Sequence, residues 1–75
     1  MSINYDIEVE VSGREHKGKT TLVAYLTKIL TEAGAELIVQ RADPQIEEKL
    51  SLTVDELKEK LAGKKIFLRE IQTVF

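Results

Sequence analysis

The hydrophobic period of this chain changes once, between residues 11 and 20, and that change limits what the chain can fold into. Up to Val11 the residues alternate. In INYDIEVEV, residues 3–11, Tyr5, Ile7, Val9 and Val11 fall on one side and Asp6, Glu8 and Glu10 on the other. A period of two belongs to a strand with one buried face. From Lys19 onward Leu22, Leu26, Ile29, Leu30 and Ala33 recur at helical spacing, the stripe of an amphipathic helix. Gly34 is placed to stop that helix, because glycine readily takes the left-handed conformation that closes a helical end. The pattern predicts a strand over 3–11, a turn over SGREHKG and a helix from about 18 to 33.

The remaining punctuation extends this order. AELIVQR, residues 35–41, is short, apolar at its centre and β-branched, and reads as a second strand. Asp43 and Pro44 break it, with Asp43 as N-cap and Pro44 at the first helical position. Ile46 and Leu50 then share one face of a short helical turn. Thr53, followed three residues later by Glu56, has the spacing of a capping box, and Leu52 and Leu57 flank it as a hydrophobic staple. Val54, Leu57 and Leu61 form the buried stripe, and Gly63 ends the helix. KKIFLREIQTVF, residues 64–75, reads as a third strand, with Phe67 and Ile71 on one face and Ile66 and Leu68 on the other. The expected fold class is α/β: a small β-α-β-α-β domain over residues 1–75, with a three-stranded, mainly parallel sheet and right-handed crossovers. One feature strains against it. Parallel strands are usually buried on both faces, yet the first strand carries three acids on one face. Either the sheet is half open or another chain covers it, and the last strand can also run antiparallel at an edge.

Composition sets limits on function. Seventy-five residues make one domain, and a chain of this size buries only about 60% of its unfolded surface, so its stability is marginal. At 43% hydrophobic and 32% charged it has the balance of a folded soluble protein. A net charge of -2 gives no basic footprint for nucleic acid. Cysteine is absent and His16 is the only histidine, so thiolate and multi-histidine metal sites are excluded within one chain. The first residues lack the basic-then-apolar pattern of a secretion signal. No apolar run approaches the roughly 20 residues that span a bilayer. The expectation is a cytoplasmic protein without nucleic-acid or membrane partners.

The chemistry lies at the period change. Gly13, four residues, then Gly18-Lys19-Thr20 reads G-x-x-x-x-G-K-[ST], placed after an expected strand and before an expected helix, as this motif requires. The two glycines free the backbone to wrap so that its N–H groups converge on an anion, and the helix N-terminus adds partial positive charge. Lys19 would reach the β and γ phosphates, and the Thr20 hydroxyl would ligate Mg²⁺. The expected ligand is ATP or GTP with Mg²⁺, or inorganic phosphate. The binding candidates are Gly13, Arg14, His16, Lys17, Gly18, Lys19, Thr20 and Thr21, and the metal candidates Thr20 and Asp43. The bland alternative is a glycine turn into a helix capped by Ser12, with Lys19 solvated.

On these residues the chain resembles P-loop nucleoside triphosphatases and kinases, bearers of the Walker A loop. Residues 7–45 are similar to the first half of thymidylate-kinase-like proteins, in which strand, loop, helix ending in glycine and second strand lead to a turn like Arg41 to Pro44. The length and layout also resemble very small phage-encoded P-loop proteins of unassigned function. The resemblance implies nucleotide binding. Three departures limit what it implies about catalysis. His16 stands where the family usually has a small residue, Glu15 puts a negative charge beside the phosphates, and no segment serves as a lid or arginine finger. Asp43 and Glu70 are the acids nearest to a Mg²⁺-holding role, each more simply read as a surface acid or cap. The expectation is a binding module without self-sufficient hydrolysis, any weak triphosphatase activity needing a partner or an oligomer. The competing expectation is a degenerate P-loop that works as a small interaction or regulatory module through its sheet face or edge. The acids Asp6, Glu8 and Glu10 offer a surface for a basic partner, and Val74 and Phe75 would be wasted unless packed, within the fold or on a second copy. A homodimer satisfies both features.

Overall fold

The computed structural model describes residues 5–14, 17–40 and 44–72. Among these the regular structure is helical: α1 over Lys19–Glu32, α2 over Ile46–Leu50 and α3 over Val54–Leu61. No described residue is in a strand. The three-stranded α/β domain expected from the sequence is therefore wrong for this chain. Residues 5–14, 35–40 and 64–72 lie outside regular secondary structure.

Alternation reports what a segment can pair with, whereas a strand also needs a neighbour to take its N–H and C=O groups. The N-terminal segment shows the consequence. The Tyr5 hydroxyl donates to Glu8 Oε1 at 3.0 Å. In a flat strand these two side chains would project from opposite faces, so the bend at Asp6 has replaced pleating with a local bond. Glu8 also raises the Tyr5 pKa, first through that hydrogen bond and then through its charge.

The helices follow the sequence closely. Beyond α1, the Gly34 N–H donates to the Thr31 carbonyl and the Ala35 N–H to the Leu30 carbonyl, both at 3.0 Å. With Gly34 at φ 95°, this pair of bonds is a Schellman ending. α2 begins two residues later than expected, with Gln45 rather than Asp43 at its cap; Pro44 sits in the preceding turn, and Asp43 lies outside the described residues. At α3 the capping box is complete. The Glu56 N–H donates to Thr53 Oγ1 at 3.1 Å, and the Thr53 N–H donates to Glu56 Oε1 at 3.0 Å. The helix closes in a turn in which Ala62 has φ -57° and ψ 133°, Gly63 has φ 81°, and the Lys64 N–H reaches the Leu61 carbonyl at 3.0 Å. Those angles are of type II, which needs a positive φ at its third residue.

The core is small. Ala24, Ile46 and Leu57 form its centre, one residue from each helix, and Val23, Tyr25, Leu50 and Leu52 pack around them. α1 lies against both α2 and α3. Leu52 and Leu57 do act as the staple below α3, with Leu57 wholly buried. On α1 the deep positions are Thr21 and Ala24, not the stripe of Leu22, Leu26, Ile29 and Leu30, which is only half-buried, while Ala33 is exposed. The spacing predicts that stripe as the apolar face of the helix. With no sheet among the described residues, α1 turns its small residue toward the other helices, where Ala24 permits close approach. No helix among the described residues is long and apolar enough to cross a membrane.

Candidate functional site

The glycine loop opens α1 as the motif anticipates on its helical side. Gly18 is the N-cap residue, at φ 99° and ψ 19°, a conformation that costs other residues roughly 1–2 kcal/mol. Its carbonyl accepts from the Leu22 N–H at 2.9 Å, so the helix starts cleanly behind it. On the other side the expectation fails: residues 7–14 approach the loop without being part of a strand.

Lys19 lies against Gly13. The Cγ and Cδ of Lys19 lie 3.6 and 3.7 Å from where a Cβ on Gly13 would stand. The aliphatic stem of the lysine therefore rests over the first glycine of the motif, which brings the two ends of the six-residue spacing together. Gly13, Arg14 and Lys17 are exposed, and Gly18, Lys19 and Thr20 are half-buried. Thr21 is 6% exposed, so its side chain is a packing group beneath the helix and only its backbone remains at the first turn. His16 and Asp43 lie outside the described residues.

The electrostatics of this helix start are unusual within the molecule. No side chain caps it and no acid occupies its first turn. Ser12 is not its cap, contrary to the bland reading of the motif. α2 carries Glu47 and Glu48 in its first turn, and α3 carries Asp55 and Glu56. A helix N-terminus bears about half a positive charge, and at α2 and α3 the protein's own acids meet it.

Sequence reasoning missed one further group. The Cε of Lys64 lies 3.7 Å from where a Cβ on Gly18 would stand. The turn after α3 carries this lysine back to the loop, so a second amine stands beside the second glycine of the motif. Residues 18 and 64 are too far apart in the chain for spacing to reveal this. The Gly63 turn signal was legible, but its direction depends on how α3 packs on α1. Among the described residues no cluster of three or more His, Asp or Glu could hold a metal. A shallow, open hollow is lined by Glu70, Ile71 and Gln72, and none of the loop residues lines it. Comparison of the chain with protein-family models, with curated proteins and with solved structures finds no match in any of the three.

Proposed function

We propose that the chain is a phosphate- or nucleotide-binding module whose ligand sits at the start of α1, as in the P-loop proteins its loop resembles. The observation that carries this reading is a glycine in the left-handed conformation opening a helix with neither side-chain cap nor first-turn acid, inside a G-x-x-x-x-G-K-T sequence. Backbone N–H groups at such a start hold an anion. Lys19 and Lys64 supply positive charge from two elements. Arg14 and Lys17 add more at the exposed rim, and His16 belongs to the same loop. Thr20 is the group through which Mg²⁺ would join a bound ATP or GTP, and Asp43 the second candidate ligand. The sequence offers no segment that reads as a lid or an arginine finger, so binding without efficient hydrolysis is the activity that fits.

The test is an NMR amide titration with inorganic phosphate, ATP and GTP, with and without Mg²⁺, on the native chain and on Lys19→Ala. The expected result is saturable shifts at Gly13 to Thr21 that weaken in the variant while the remaining spectrum is unchanged. No shifts at millimolar nucleotide or phosphate would overturn the reading. A second reading, an interaction module, is favoured by a separate observation: the large apolar side chains left exposed on the segments outside the helices.

A further inference from the structure

The chain exposes more surface than its mass accounts for. Its accessible area is 7035 Å² for 8.5 kDa, against about 4,700 Å² for a folded monomer of that mass. The excess, about 2,400 Å², is as large as the total area buried in a stable protein–protein interface. The radius of gyration agrees, at 13.3 Å against about 11 Å for a compact chain of this length. Much of the exposed apolar surface lies on two segments. Ile7 is 83% exposed, Phe67 83% and Leu68 90%, and Val9, Ile66 and Ile71 are also open.

The same two segments are opposite in charge. Residues 5–11 carry Asp6, Glu8 and Glu10; residues 64–71 carry Lys64, Lys65 and Arg69 against the single acid Glu70. Their spacings match as well. Asp6 and Glu10 are four residues apart, as are Lys65 and Arg69. In an antiparallel pairing that sets Asp6 opposite Arg69 and Glu10 opposite Lys65, Ile7 falls opposite Leu68 and Val9 opposite Ile66. Two charge pairs then lie on one face, on either side of Glu8 opposite Phe67, and two apolar pairs lie at the centre of the other, between Tyr5 opposite Glu70 and Val11 opposite Lys64. A slip of one residue puts the acids against Leu68 and Ile66 and destroys both faces. The Arg69 guanidinium lies 5.7 Å from the Phe67 ring centroid, so those two side chains already share a side of the segment.

We propose that residues 5–11 of one copy pair in this register with residues 64–71 of a second copy, and reciprocally, to form a two-fold dimer. A second copy is the partner that the chemistry selects. Each chain offers one acidic and one basic segment, so a two-fold arrangement satisfies all four at once. Within one chain the two segments form no ladder with each other. Both segments join the helices beside the glycine loop, through Gly13 against Lys19 and Lys64 against Gly18. This inference is independent of whether the loop binds phosphate.

Sedimentation equilibrium from micromolar to millimolar chain, at low and high salt, tests it. A dimer that loosens with salt is expected. Asp6→Lys/Glu10→Lys should weaken it about tenfold or more, and adding Lys65→Glu/Arg69→Glu to the same chain should restore it. Far-UV circular dichroism checks that α1 to α3 persist, since none of these residues lies in a helix. Isotope-filtered NOEs between labelled and unlabelled copies should join Val9 to Ile66. A monomer at every concentration, a dimer indifferent to charge reversal, or Val9–Ile66 NOEs found only within one chain would each overturn the proposal.

Discussion

The starts of α1 and α3 solve one problem in opposite ways. Every helix begins with N–H groups that have no partner within it. At α3, Thr53 and Glu56 answer them with a reciprocal pair of side-chain bonds, and Asp55 adds negative charge. At α1 the residue in the capping position is glycine, with no side chain to offer, and among the described residues the side chains of Lys19 and Lys64 lie against the loop glycines. The first arrangement serves stability: it completes a helix of only eight residues, which would not hold by itself. The second forgoes side-chain stabilisation on a helix of fourteen residues and keeps positive charge at the surface. A helix start left in that condition suits an external anion better than it suits the fold.

Four experiments bear on this contrast. The largest effect is expected below the capped start. Leu57→Ala should cost about 2–5 kcal/mol, enough to unfold much of a chain this small, read by urea denaturation. Next, Gly18→Ala should cost roughly 1–2 kcal/mol through its positive φ. Thr53→Ala should cost about 1 kcal/mol through the lost cap. Of these two variants only Gly18→Ala should also alter the phosphate titration, and a Thr53→Ala effect on that titration would erase the distinction between the two starts. Third, Lys17→Glu should bring an acid to the uncapped start and stabilise α1 by about 0.3–1 kcal/mol while weakening phosphate binding severalfold. A rise in both stability and affinity would show that the positive charge there serves no ligand. The smallest effect is in pH. The Glu56 carboxyl is held below its usual value, chiefly by the Thr53 backbone hydrogen bond and then by the Thr53 side chain. Its contribution is therefore complete above the ordinary glutamate pKa of about 4.3 and is lost as pH falls through the lower folded value. Amide exchange should quicken at the start of α3 on acidification, and not at the start of α1, which has no first-turn acid.

How far the sequence could be read divides along the same physical lines. Signals that act over three or four residues were legible. The Thr53–Glu56 box, the Leu52–Leu57 staple and the stops at Gly34 and Gly63 are all present, because each is settled by its own few neighbours. The strands were misjudged because alternation at Tyr5 to Val11 states a preference whose fulfilment depends on residues far away. The burial of Thr21 and the half-exposure of Leu22 and Leu26 went unforeseen for a related reason: which face of α1 is deepest depends on what it packs against. Lys64 belongs to the same class, a contact made by tertiary placement.

The central position of α1 carries a consequence for how the molecule comes apart. The buried cluster takes one side chain from each helix, and α2 and α3 both rest on α1. The five-residue α2 can peel away and return while Ala24 and Leu57 stay together. α1 has no such freedom, because its departure leaves Ile46 and Leu57 facing water. Its amides should therefore exchange only when the whole chain opens, and a ligand held at its first turn would slow the exchange of residues that the ligand never touches.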